Sequence, residues 1–155
     1  MVGVCARMSD PARELCLDFP VPECDMQPAI CPFCSLPAER ICDNSRYSLL
    51  IEDGYPVSPG HALLIPRRHV PSLFDLADDE RADLLDLLAR ARLRIQAERN
   101  PDGFNIGIND GPAAGQTVMH LHIHLIPRYS GDQSDPRGGV RWIFPEKADY
   151  WSDRG

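Results

Sequence analysis

His120-Leu121-His122-Ile123-His124-Leu125-Ile126-Pro127 places three of the chain's five histidines on alternate positions of one short apolar run. Successive side chains of an extended strand point to opposite faces. The three imidazoles would therefore share one face at a spacing of roughly 6.6 Å, while Leu121, Ile123 and Leu125 line the core. A neutral imidazole, with an ordinary pKa of roughly 6.5, is a competent nucleophile near neutral pH, and the protein can hold it in one tautomer through its other ring nitrogen. Phosphorus is a suitable target. A second cluster is Cys31-Pro32-Phe33-Cys34. Two thiolates three positions apart can chelate one zinc ion at roughly 2.3 Å each, but a closed structural site needs four ligands, and a lone CxxC also fits a redox pair or two buried thiols.

These residues need a scaffold. Strands are expected at Glu39 to Cys42 and Tyr47 to Glu52, separated by the turn-forming Asp43-Asn44-Ser45. A loop follows over residues 53–60. His61 to Ile65 forms a third strand, closed by Pro66, which cannot donate to a ladder. From about Asp78 to Arg99, Leu84, Leu88, Ala91 and Ile95 recur at helical spacing, with Asp78, Asp79 and Glu80 suited to the start of a helix and Asn100-Pro101-Asp102-Gly103 to its end. Phe104 to Asn109 and Met119 to Pro127 supply two further strands. The pattern implies an α+β domain: an antiparallel sheet of about five strands, one long helix and a smaller helical element. Residues 1–28, rich in proline and acidic side chains, are expected to form an extended arm. Residues 29–130 would be the domain and 131–155 a tail packed on it.

A chain of 155 residues suits one domain, and hydrophobic residues at 43% with charged residues at 25% are ordinary for a globular protein. The net charge of -7 argues against general nucleic-acid binding, which needs a basic surface. No apolar run reaches the length of a membrane span and no secretion signal is evident, so a cytoplasmic location and reduced thiols are expected.

The triad is preceded by Phe104-Asn105-Ile106-Gly107-Ile108-Asn109-Asp110-Gly111-Pro112-Ala113-Ala114 and by Gly115-Gln116-Thr117-Val118. From about Cys31 to Tyr129 the chain resembles the histidine triad (HIT) superfamily of nucleotide hydrolases and transferases, whose signature is His-apolar-His-apolar-His-apolar-apolar after a Gly-Gln-Ser/Thr-Val turn. The tail motif Pro136-Arg137-Gly138-Gly139-Val140-Arg141-Trp142 looks like that of some bacterial members. The resemblance implies a HIT-like fold and a homodimer acting on a purine nucleotide. It implies that His122 attacks the α-phosphorus, that His124 contacts the phosphate, and that His61 orients the triad. Asn109, Gln116 and Thr117 would hold phosphate oxygens, Asp53 the ribose hydroxyls, and Ile41 and Ile51 would flank the base. Zinc-containing relatives complete a CxxC with two histidines, which here implies structural Zn2+ on Cys31, Cys34, His69 and His120. The reaction implied is hydrolysis of a dinucleoside polyphosphate or nucleoside phosphoramidate through a nucleotidyl-histidine, releasing a nucleoside monophosphate. Two alternatives stand beside it: a nucleotidyltransferase or phosphorylase, and a nucleotide-binding sensor with weak turnover. His124 favours hydrolysis, since transferase branches tend to carry Gln there.

Overall fold

The structure, a computed structural model, describes residues 31–152; the arm expected over 1–28 lies outside them. Five antiparallel strands form one sheet: β1 (Ile41–Asn44), β2 (Ser48–Glu52), β3 (Ala62–Pro66), β4 (Gly103–Gly107) and β5 (Ile123–Arg128), in the order β1-β2-β3-β5-β4. The long helix α1 (Asp78–Arg99) connects β3 to β4, and a short α2 (Pro145–Ala148) follows the sheet. The five-stranded α+β architecture is the expected one. β5, which carries His124 and follows directly on His120 and His122, is paired on both sides, so the triad leads into an interior strand.

One face of the sheet is closed by α1. Leu50, Ala62, Leu64, Ile123 and Leu125 meet Leu84, Leu87, Ala91 and Ile95 of the helix, together with Leu121. The buried helix positions are spaced by three and four residues, so they fall on one stripe. At its start α1 is capped by the Glu80 carboxylate, which accepts from the Ala77 amide at 2.9 Å. It ends at Asn100, in the left-handed conformation (φ 47°) just before Pro101. Burying a leucine or isoleucine contributes roughly 1.5–3 kcal/mol, against about 1 kcal/mol for a cap. Packing therefore dominates the docking of α1.

The opposite face carries His124. One register row crosses it: Ile41 pairs with Ile51, Ile51 with Leu63, Leu63 with His124, and His124 with Gly107. Ile51, Leu63 and Ile65 form a small second core there, with Phe33, Leu36 and Ile41 packed against it.

Some sequence expectations shift. β1 starts at Ile41, and residues 38–40 form a turn of 3₁₀ helix. Leu87 is buried and Leu88 only half-buried, because the stripe follows Leu84, Leu87 and Ala91. β5 begins at Ile123, four residues later than expected; Leu121 instead donates its amide to the Val70 carbonyl at 2.6 Å. Among the described residues no helix is long and apolar enough to cross a membrane.

Candidate functional site

The four residues expected to hold zinc converge. The Cys31 and Cys34 thiols and the His69 and His120 ring nitrogens all lie within 4.8 Å of one another. Cys34 Sγ is 3.2 Å from His69 Nδ1 and 3.6 Å from His120 Nδ1, and Cys31 Sγ is 3.5 Å from His120 Nδ1. A tetrahedral zinc with bonds of about 2.0–2.3 Å separates its ligands by about 3.6 Å, so the donor set fits the ion. His120 Nε2 donates to the Pro66 carbonyl at 2.9 Å, which leaves the Nδ1 lone pair facing the thiols. The loop bearing His69 is fixed from both sides. Arg67 donates to the Ser45 carbonyl and to Asn44 Oδ1, and Arg68 forms a forked pair with Glu80 at 2.9 and 2.7 Å.

The remaining three histidines lie side by side, and their tautomers follow from their hydrogen-bond partners. His122 Nδ1 lies 2.9 Å from the His120 carbonyl oxygen. A carbonyl only accepts, so Nδ1 carries the proton and Nε2 keeps a lone pair. Val57 N–H points at His61 Nδ1 at 3.3 Å, and an amide only donates, so the His61 proton sits on Nε2. That proton faces His124 Nδ1 at 3.0 Å and Asp53 Oδ2 at 3.4 Å. His124 Nδ1 therefore accepts and Nε2 carries its proton. The His122 and His124 rings meet edge to face with centroids 5.1 Å apart, and Phe33 lies edge-on to His122 at 5.3 Å.

His61 is held by the loop between β2 and β3, where Asp53 N bonds to His61 O and His61 N to Ser58 O. Gly60 makes this possible. Its φ is +87°, and a Cβ there would lie 2.7 Å from Arg99 Cδ.

Asp53 sits beside the histidines: Oδ1 accepts from the Tyr55 amide at 2.7 Å and Oδ2 faces His61 and His124. Asn109 is half-buried two residues past Gly107, the partner of His124. Thr117 is exposed. Ile51 is buried and Ile41 half-buried on the histidine face. Gln116 is buried: its Oε1 accepts from the Gly111 amide at 2.8 Å and its Nε2 donates to the Pro71 carbonyl at 2.9 Å, so the side chain staples its loop. Sequence reasoning missed Phe33 and the carbonyls of Pro66 and His120. Phe33 stood inside a motif read only for its thiols, and backbone groups leave no mark in a residue string.

Burial lowers the pKa of His61 below its ordinary value, against the pull of the Asp53 carboxylate. His124 is lowered by burial and then by His122 and His61, and burial pushes His120 down to about 4. All three are thus held toward the neutral form near pH 7. In the unfolded chain these imidazoles titrate near roughly 6.5, so it binds protons that the folded chain refuses. Their contribution to stability is complete above that value and is lost as pH falls from there toward the folded values. Denaturant midpoints measured at about pH 7.5 and about pH 5 should therefore differ, the lower belonging to the acid sample. An equal or higher midpoint at acid pH would contradict the neutral assignment.

The HIT domain family model matches residues 36–131. A HIT-like protein of Mycobacterium tuberculosis is 38% identical over 115 residues, covering 71% of this chain and 79% of that protein. The bis(5'-adenosyl)-triphosphatase of Saccharomyces cerevisiae is 35% identical over 121 residues, 77% of this chain and 56% of the enzyme. The chain spans 23% of the Caenorhabditis elegans nitrilase and fragile histidine triad fusion protein, to which it is 39% identical over 101 residues, 65% of its own length. Among solved structures, a Zn-bound histidine triad family protein of Mycobacterium smegmatis superposes with a TM-score of 0.63 at 36% identity, covering 70% of this chain and 82% of that one. With its triad on the open face of a five-stranded sheet and the family model matching most of its length, the chain belongs to the HIT domain family.

Proposed function

We propose that this protein is a nucleotide hydrolase that cleaves a phosphoanhydride or phosphoramidate at the α-phosphorus and releases a nucleoside monophosphate. The observation that carries the reading is the bond from His122 Nδ1–H to the His120 carbonyl, which leaves Nε2 free to attack. In the first step His122 Nε2 bonds to phosphorus and the bond to the leaving group breaks, the leaving group departing with the electron pair and taking its proton from solvent, while His124 Nε2–H donates a hydrogen bond to the charged phosphate oxygens. In the second step water attacks the nucleotidyl-histidine, its proton is released to solvent, and the N–P bond breaks with the electron pair returning to His122 Nε2. His61, beside Asp53, donates to His124 Nδ1 and so orients it toward the phosphate. The triphosphatase relative supports the hydrolytic direction.

We assign the apolar row of Ile41 and Ile51 to the purine base, Asp53 to the ribose hydroxyls through its remaining acceptor capacity, and Asn109, with Thr117, to the phosphate. Zinc is the ion we assign to Cys31, Cys34, His69 and His120, on the donor set and the Zn-bound relative. It supplies structure, pinning the 31–34 segment and the loop after β3 to the first triad histidine. A homodimer through the exposed edge of β4, where Ile106 is 43% exposed, is the assembly we assign.

Turnover of diadenosine polyphosphates and adenosine phosphoramidates, with identification of products, tests the reaction. Release of AMP with oxygen from solvent water is expected; transfer of the nucleotide to added phosphate in place of water would identify a phosphorylase. Asp53→Ala should reduce the preference for ribonucleotides over 2'-deoxyribonucleotides, because a group placed to bond a hydroxyl discriminates against its absence. An unchanged ratio of kcat/KM would confine Asp53 to its bonds with Tyr55 and the histidines.

A further inference from the structure

A cavity of about 630 Å³ opens on the histidine face, further along β5, and its volume falls within the range of small-molecule sites. Its floor holds Ile126, two positions beyond His124 and so on the same face, and Asn105, the register partner of Ile126. Val57, whose amide fixes His61, stands on one side; Gly139 and Trp142 of the tail stand on the other. The cavity therefore lies beside the histidines, on the same face of the sheet.

The tail motif builds that second wall. Gly138 has φ +85°, and a Cβ there would sit 3.2 Å from the Ala148 carbonyl oxygen and 3.3 Å from Trp142 Nε1. Trp142 Nε1 donates to the Arg137 carbonyl at 2.7 Å, and the Arg137 guanidinium lies 4.4 Å from the centre of the Trp151 ring. The motif's glycine and arginine are thus spent on the tail's own fold, and Trp142 is left 46% exposed at the cavity.

Charge at the cavity is already paired. Arg128 forks onto Asp132 at 2.6 and 2.7 Å and gives its third nitrogen to Asn105 Oδ1, while Arg137 pairs with Asp135 at 2.7 Å. Arg128 also pushes the Asp132 carboxyl down to about 2, so that pair stays ionised and mutually satisfied. A polyphosphate entering here would meet one arginine, Arg128, with each of its nitrogens already bonded once, and the two carboxylates Asp132 and Asp135. An uncharged ring would meet apolar and aromatic surface.

We propose that this cavity receives the substrate's leaving group and selects a planar, uncharged ring over a chain of phosphates, a specificity that rests on the hydrolase reading above. The test compares two adenosine phosphoramidates that differ only in the leaving amine, one aryl and one methyl, on the full chain. In the wild type the aryl compound is expected to gain through KM. Trp142→Ala should lower the aryl-to-methyl ratio of kcat/KM about tenfold and Trp142→Phe should keep most of it. A merely structural role of Trp142 would lower both rates and leave the ratio unchanged, which would overturn the proposal. If the wild type cleaves neither compound, the hydrolase reading fails. Calorimetric binding of the aryl amide then decides about the cavity: roughly tenfold weaker binding in Trp142→Ala supports it, and equal affinity removes it.

Discussion

Replacing His122 with alanine is expected to lower turnover by about 10⁴-fold or more while nucleotide binding persists, since the substitution removes the nucleophile but neither the base pocket nor His124. The loss should be in kcat, because a nucleophile contributes to the transition state far more than to ground-state binding. Single-turnover kinetics and calorimetric binding of AMP on the same preparation separate the two. His122→Ala activity within tenfold of the wild type would show that another group attacks phosphorus.

Disrupting the proposed zinc site has the next largest expected effect. Cys31→Ser should leave the protein with much less than one zinc per chain and lower the thermal midpoint on the order of 10 °C, because a four-ligand site contributes its binding energy to folding. His120 links the two sites: its Nδ1 faces the thiols, and its carbonyl fixes the tautomer of His122. Some loss of kcat is therefore expected along with the loss of stability. Metal analysis of untagged protein checks this directly. A wild type without zinc and a variant with an unchanged melting point would remove the ion from the site.

The five strands, the long helix and the triad face were legible in the sequence because each rests on a period: two for His120, His122 and His124, and between three and four for Leu84, Ala91 and Ile95. The ends of strands were less so. Met119 to Leu121 fits an extended pattern, but its backbone is claimed by Val70, a partner distant in sequence. The loop role of Gln116 was not legible either, since its bonds to Gly111 and Pro71 join positions that only the fold brings together. Asp53 was singled out only through resemblance, and its closeness to both His61 and His124 depends on the turn that Gly60 permits. The CxxC and two separate histidines were assembled through resemblance, and the fold brings all four within 4.8 Å.

Attack by His122 Nε2 requires a covalent nucleotide on that residue between the two steps. Rapid acid-free quenching of the wild type during turnover of an adenosine phosphoramidate, followed by peptide mass spectrometry, measures it directly. A mass increment of one adenylyl group on the peptide containing His122, appearing and decaying at rates compatible with turnover and absent from His122→Ala, is the expected result. Steady turnover with no adduct at any time, in an enzyme whose His124→Ala variant also accumulates none, would mean that water attacks phosphorus directly and that His122 is not the nucleophile.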